Sequence, residues 1–291
     1  MDKKDANKKQ YFNSASELEE HLKEISDKEQ VYTIALFDIL GFSNLVKENK
    51  TETILEVYQK LIDIVEIQKS TTGGESSLAG KAVPISISND WKTSAYYFNI
   101  NGFVNVGYFS DTFILYMGYN IESPWCIPCK ETKKEPYPLL LGEERALFYP
   151  VIYDKHHLFL SFLQTCMEFF CQAIIAGIPL RGCVSTGLAI MNSYKSIFLG
   201  APLVEVARGE TAQNALGIAF GKSFNNSHPV YNDYFIPYLA HIKDESKKEV
   251  LSPMVLDWAR YWRENFEGID FKDCINRMNT NPHFHHIMTI L

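Results

Sequence analysis

The chain lacks the long apolar run that a membrane-spanning helix needs. Nowhere in its 291 residues does it carry about 18 uninterrupted apolar residues. Its first residues, MDKKDANKKQ, contain lysines but no apolar stretch behind them, so they do not read as a secretory signal. The sequence therefore predicts a cytoplasmic protein with no direct membrane insertion.

An excess of basic residues is also missing. The chain has 28 Lys and Arg against 35 Asp and Glu, which gives a formal net charge of −7. Such a charge argues against a surface built for non-specific binding of DNA or RNA. Any polyanionic ligand has to be met by a local cluster of Lys, Arg, metal ions or backbone N–H groups.

No group of cysteines or histidines has the spacing of a zinc site. Cys126 and Cys129 form a CxxC, but no second pair supplies the remaining ligands, and CIPC does not open a helix as a redox pair would. His283, His285 and His286 lie too close in sequence to enclose a metal without a distant ligand. We interpret the cysteine pair as structural or incidental, with a metal or redox role as the alternative, and expect reduced thiols. We interpret the histidines as a surface or packing cluster, with a metal site as the alternative.

The composition, 46% hydrophobic and 22% charged, is that of a globular chain with one sizeable core. We predict a polar N-terminal segment with a short helix over residues 1–30 and a main domain over 31–225. Stretches rich in Gly, Ser, Thr or Pro mark insertions in that domain at about 70–102 and 118–150. An aromatic-rich extension, 226–291, is expected to pack on the main domain.

Hydrophobic periodicity predicts the elements of the main domain. The predicted strands cover 31–38, 103–109, 112–117, 180–190 and 216–221, and the predicted helices cover about 16–27, a long helix through 54–65, 156–176 and 199–213. This order predicts an α+β fold with a ferredoxin-like βαββαβ core, an antiparallel sheet and helices on one face. The helix at 156–176 is apolar almost all round, so we expect it to be buried or covered by a second subunit.

Asp38 and Asp111 are the most informative residues, because each borders a strand that the topology brings next to the other. Adjacent carboxylates in a mostly apolar sheet repel each other unless cations lie between them. Two divalent ions held there can polarise an attacking hydroxyl and screen a triphosphate. The alternative is that Asp38 is a helix-start carboxylate and Asp111 a turn residue.

The turn that follows, Ile39–Ser43, leads from the first strand into a helix. Backbone N–H groups at Gly41, Phe42 and Ser43 could hold the β- and γ-phosphates of a nucleotide at the helix N-terminus. Arg181 could reach a phosphate from its strand, or could equally pair with an acid.

Four segments, in order, resemble motifs of the class III nucleotide cyclases. FDILGF at 37–42 resembles their strand-end metal motif and YFSDTFILYM at 108–117 their second metal motif. LRGCVSTG at 180–187 and LGAPLVEVARGE at 199–210 resemble the later strand and helix. The resemblance implies an enzyme that closes a nucleoside triphosphate into a 3′,5′-cyclic monophosphate, and a homodimer with two shared sites.

Site roles are also implied by this resemblance. Asp38, Ile39 and Asp111 of one protomer would hold two divalent ions, Mn²⁺ or Mg²⁺. Arg208 of the other protomer matches the transition-state arginine. Lys222 lies where the family often has a phosphate-binding lysine, although a solvated loop lysine is the alternative.

Departures from the family motifs indicate which nucleotide base the site binds. Gly107 and Ile197 replace the polar side chains that read a purine, and Val204 stands at the position of the catalytic asparagine. Tyr108 is expected to line the base pocket, with a core aromatic as the alternative. In these departures the chain resembles the pyrimidine cyclases of bacterial Pycsar anti-phage systems, whose cUMP or cCMP is read by a separate effector protein.

Other functions remain open at this point. A catalytically silent, nucleotide-binding relative is compatible with Val204, and a purine cyclase is a further alternative. A polymerase-palm or diguanylate-cyclase relative shares the two-carboxylate layout, but the hairpin has FSDTF and no GG[DE]EF-like turn.

Overall fold

The structure is a computed structural model that describes residues 27–73, 104–118, 155–213, 215–224, 234–238, 242 and 249–280. The predicted N-terminal helix up to residue 26, most of both predicted insertions, the CxxC pair and the three C-terminal histidines lie outside the described residues. Four cysteines lie within them, and all four are buried and free of disulfides: Cys166, Cys171, Cys183 and Cys274.

Eight strands of the described residues form one sheet. They are β1 (Gln30–Ile39), β2 (Asn105–Phe109), β3 (Thr112–Gly118), β4 (Leu180–Asn192), β5 (Ile197–Gly200), β6 (Gly217–Gly221), β7 (Phe235–Pro237) and β8 (Leu251–Leu256). Their order is β2-β3-β1-β4-β6-β8-β7, with β5 paired to β4. The neighbours from β2 to β4 are antiparallel, so the predicted α+β class and ferredoxin-like core are confirmed. The whole sheet is mixed, because β6 joins parallel to β4.

Helices lie on both faces of this sheet, so the prediction of helices on one face was wrong. They are α1 (Phe42–Glu48), α2 (Thr51–Gly73), α3 (Lys155–Ile175), α4 (Ala201–Ala212), α5 (Trp258–Asn265) and α6 (Phe271–Thr280). Phe37 and Phe113 face α2 and α3. Ile34 and Leu36 face the other way and pack with Val206 of α4. Side chains alternate along a strand, so a strand buried on both faces appears in the sequence as one continuous apolar run.

Two predicted helices have different bounds in the structure. The long helix is divided into α1 and α2 at Asn49, whose backbone is extended and whose Nδ2 donates to Leu45 O at 2.9 Å. The predicted helix at 199–213 begins only at Ala201, after β5. β5 pairs with β4 up to Gly200, and only a glycine fits there, because its φ is 150° and a Cβ would lie 2.7 Å from the carbonyl oxygen of Leu188.

The chain itself buries α3. Phe162, Phe169 and Phe170 are fully buried in the core that α3 shares with α2, α5 and α6. Its polar Glu168 accepts a hydrogen bond from Tyr261 Oη of α5 at 2.8 Å. No second subunit is therefore needed to cover the apolar surface of α3. No helix in the described part of the chain, α3 included, has the length and apolarity to cross a membrane.

Candidate active site

Asp38 and Asp111 lie at the same end of the sheet. Asp38 is the last residue but one of β1 and stands in register with Arg181 of β4. Asp111 lies in the tight turn between β2 and β3, where Ser110 has a left-handed φ of 56°. The backbone N–H of Ile39 donates to Asp111 O at 3.1 Å, which ties this turn to the end of β1. The structure thus brings the two predicted carboxylates together.

A third carboxylate, which the sequence analysis missed, reaches this end of the sheet from α4. Glu210 is only 4% exposed and pairs with both Nε and Nη2 of Arg181. Arg181 Nη1 donates to the carbonyl oxygen of Gln213 at 3.0 Å, and its Nη2 lies 3.8 Å from Asp38 Oδ2. The sequence did contain a signal, because Glu210 lies four residues after the apolar Val206 and so on the same face of the helix, where a buried carboxylate needs a partner. Only the fold shows that this partner is Arg181.

The electrostatics of the cluster are dominated by negative charge. Burial raises the pKa of Asp38 from 3.8 to about 7, and the charges of Glu210 and Asp111 also raise it, while Arg181 lowers it. Asp38 and Glu210 therefore share the guanidinium of Arg181 and also hydrogen-bond each other, with the charge of Asp111 nearby. Carboxylate oxygens are the ligands that Mg²⁺ and Mn²⁺ prefer, so the donor set fits a divalent cation. Within the described residues no group of three or more Asp, Glu, His or Cys has metal-binding geometry, so Asp38 and Asp111 would need ligand atoms from the substrate as well.

We expect the raised pKa of Asp38 to make the metal-free protein less stable as the pH rises from about 4 to about 7. The folded state binds this proton more tightly than the unfolded chain, so ionisation favours unfolding. Asp38→Asn abolishes the titration. Its melting temperature should exceed that of the wild type at about pH 8, and the difference should shrink toward about pH 4. Thermal melts in EDTA across this range test the expectation, which a more stable wild type at the higher pH would contradict.

The turn predicted to hold phosphates follows β1 directly. Gly41 has a left-handed backbone, φ 78° and ψ 10°, which a glycine adopts without steric cost. Leu40 N donates to Pro179 O at 3.0 Å and so fixes the turn against the start of β4. Phe42 packs against the core, whereas Ser43 is exposed. The segment Gly41–Ser43 thus lies at the same end of the sheet as the carboxylates.

Two basic residues that were predicted to act in the site, Arg208 and Lys222, lie away from the carboxylates of their own protomer. Arg208 is exposed and stands two residues before Glu210, so it points to a different side of α4, about 200° away. Lys222 lies five residues beyond Gly217, which is in register with Arg181. That separation corresponds to roughly 16 Å along the strand.

The base-reading position is covered by an aromatic ring. Gly107 faces the α4 side of the sheet, and a Cβ there would lie 3.4 Å from Cζ of Phe198. Phe198 also packs against Tyr116, with ring centroids 5.9 Å apart. Tyr108 points to the opposite face, where its ring lies 6.1 Å from that of Tyr58 on α2. Sequence reasoning missed Phe198 because it predicted no strand at 197–200 and began the following helix at residue 199.

No family model and no curated protein match this sequence. Among solved structures, the chain is similar to a bacterial light-regulated adenylyl cyclase with 12% identity and a TM-score of 0.45, over 86% of this chain and 57% of that one. It is also similar to the adenylyl cyclase CyaB from P. aeruginosa, with 13% identity and a TM-score of 0.36, over 79% and 92% of the two chains. For the guanylyl cyclase Cya2 the values are 12% and 0.35, over 79% and 91%. Similarities this distant carry no argument about function. The functional argument rests on the residues of the site.

Proposed function

We propose that this chain is a class III nucleotide cyclase that converts UTP or CTP into the 3′,5′-cyclic monophosphate and pyrophosphate. The observation that carries the proposal is the meeting of Asp38 and Asp111 at one end of the sheet. These carboxylates would hold two divalent ions, Mn²⁺ or Mg²⁺, which supply Lewis acidity toward the attacking hydroxyl and the triphosphate. The family motifs at both residues support this assignment.

In the proposed reaction the 3′-hydroxyl group loses its proton to solvent, its oxygen bonds to the α-phosphorus, and the bond from that phosphorus to the bridging oxygen breaks, so that pyrophosphate leaves. The turn Gly41–Ser43 lies beside the carboxylates, where its backbone N–H groups would orient the phosphates. Arg208 and Lys222 would approach the triphosphate from the second subunit, where Arg208 stabilises the charge of the transition state.

The proposal therefore includes a homodimer with two shared sites. Arg208 is exposed and turned away from the carboxylates of its own protomer, which leaves it accessible to a second copy. In this proposal a second copy also covers the β4–β5 hairpin, where Leu188, Ile197 and Leu199 are 53%, 40% and 59% exposed. Alternation along the paired strands puts these three side chains on one face.

We infer that the base is a pyrimidine, because the site opposite Gly107 holds the Phe198 ring instead of a hydrogen-bonding group. A pocket without polar groups for adenine or guanine gains nothing from a purine edge, and the ring favours a smaller base. By its resemblance to the Pycsar cyclases, the product would be a messenger in anti-phage defence, read by a separate effector protein.

We expect UTP to be the best substrate, CTP the second, and ATP and GTP slower by at least about a hundredfold. The measurement is a competition among the four ribonucleotides at equal concentration with Mn²⁺, with the products identified by mass spectrometry. Phe198→Ala should raise the share of cAMP and cGMP, whereas Phe109→Ala, a change at an exposed ring of β2, should not. If cAMP or cGMP were the main product of the wild type, the pyrimidine assignment would be wrong although the cyclase assignment would stand.

A silent, nucleotide-binding protein of the same fold is the second candidate. Val204 favours it, because this exposed position on α4 has no group that can hydrogen-bond a ribose. Binding of all four triphosphates without formation of any cyclic product would select this alternative.

A further inference from the structure

Phe109 is the most exposed large hydrophobic residue in the described part of the chain. Its side chain is 82% exposed at the end of β2, directly before the turn that contains Ser110 and Asp111. At this exposure the ring buries little apolar area and adds little to the stability of its own protomer. The ring is thus accessible to a ligand.

The register of the strands places Phe109 on the face of the sheet that carries Asp38. Gly107 faces the α4 side and Tyr108 the opposite side, so alternation returns Phe109 to the α4 side. Phe109 is in register with Thr112, and Thr112 with Asp38. The three residues form a row across β2, β3 and β1, whose ends lie about 10 Å apart. A nucleotide with its phosphates at Asp38 would therefore bring its base toward Phe109.

The surface beside this row is open and largely apolar. Helix α4 packs mainly on β1, β4 and β6, so it leaves this part of β2 and β3 accessible. Thr112 and Ile114 are only partly buried on the same face. The Phe198 ring stands over Gly107, two residues before Phe109, and the spacing of about 7 Å along the strand leaves room for one flat ring between two others.

A base bound on this surface would be held by its ring face. Stacking of a nucleobase on an aromatic side chain needs no hydrogen-bond donor or acceptor, and it accepts every base. It therefore suits a site in which Gly107 and Ile197 provide no polar side chain. The choice of a small base would come from Phe198, and the strength of base binding from the stack.

We propose that Phe109 is a base-stacking residue, whose ring lies against the face of the base when the phosphates are held at Asp38 of the same protomer. The inference rests on the proposed function, because it concerns the base of that same site. Since stacking accepts any flat base, loss of the ring weakens the binding of all four nucleotides. Phe109→Ala is therefore expected to lower affinity without raising the share of cAMP and cGMP.

The test compares a nucleotide with a ligand that has no base. 3′-Deoxy-UTP lacks the attacking hydroxyl and stays intact, and inorganic triphosphate has the phosphates alone. Phe109→Leu keeps an apolar side chain but removes the aromatic face. In calorimetric titrations with Mn²⁺, it should bind 3′-deoxy-UTP about tenfold more weakly than the wild type does, and inorganic triphosphate within about twofold. Phe109→Trp keeps an aromatic face and should bind 3′-deoxy-UTP at least as tightly as the wild type.

Tyr238→Leu is the matched control. Tyr238 is 45% exposed and follows β7, at the opposite edge of the sheet from β2, so this change should leave both affinities at the wild-type value. Equal weakening of both ligands by Phe109→Leu, or an unchanged affinity for 3′-deoxy-UTP, would overturn the proposal. A sizing column checks the remaining alternative. If folded Phe109→Leu no longer dimerised, the ring would belong to the subunit contact and the proposal would be wrong.

A measurement on the wild type applies if Phe109→Leu does not fold. 5,6-Dihydro-UTP keeps the hydrogen-bonding groups of UTP, but its base is saturated and not flat. We expect its KM to exceed that of UTP by at least about tenfold, and equal values would contradict stacking. A wild type that binds neither 3′-deoxy-UTP nor inorganic triphosphate with Mn²⁺ would reject the proposed function itself. Intact nucleotide binding that Phe109→Leu does not change would reject the stacking alone.

Discussion

Asp38→Asn and Asp111→Asn should each lower turnover by at least roughly a hundredfold and leave a folded dimer. Each substitution removes one anionic metal ligand and preserves the shape of the side chain. The fold does not depend on either charge. Ionised Asp38 is disfavoured by its burial, and Asp111 joins β1 through its backbone oxygen. Formation of cyclic nucleotide, measured beside a melting curve and a sizing column, tests this expectation.

Asp63→Asn is the matched control, since Asp63 is an exposed carboxylate on α2 whose partner is Gln59 of the same helix. We expect it to keep wild-type turnover. Near-normal activity in folded Asp38→Asn or Asp111→Asn would remove the two-metal proposal.

The second expectation concerns the composite site. A chain with Asp111→Asn, mixed with a chain with Arg208→Ala, should regain up to about a quarter of wild-type activity although each variant alone is inactive. Random pairing makes about half of the dimers mixed, and each mixed dimer contains one site with no substitution. The placement of Arg208 on the outer side of α4 motivates the experiment.

Subunit exchange has to be shown in the same mixture, for example by co-purification of two differently tagged chains. The control mixes the Asp111→Asn chain with an Asp38→Asn chain. In every mixed dimer of this kind, each of the two sites lacks one of its metal-binding carboxylates. That mixture should stay inactive. No recovery in the first mixture, despite exchange, would place the arginine and the carboxylates in one protomer.

The local pattern of the chain was enough to predict most elements near the site. The run before Asp38 is continuous and apolar, so it predicted a strand buried on both faces, which β1 is. Two short apolar runs on either side of Ser110 and Asp111 predicted the hairpin of β2 and β3. The prediction of where α4 begins failed because of a contact between residues that are distant in the sequence. Helix α4 begins only after Gly200 because the preceding residues pair with β4, a strand that lies earlier in the chain.

What the sequence by itself determined is the order of most elements from β1 to β6, the α+β class and the presence of a carboxylate at the end of β1, because periodicity and turn residues act over a few neighbouring positions. Only the tertiary structure decided which charges meet. The register of β1 with β4 brings Arg181 beside Asp38, and the packing of α4 on the second face of the sheet adds Glu210. Contacts of this kind join residues far apart in the chain, and no local pattern encodes their distance. The same reason hid Phe198, whose position over Gly107 depends on β5 folding back against β4.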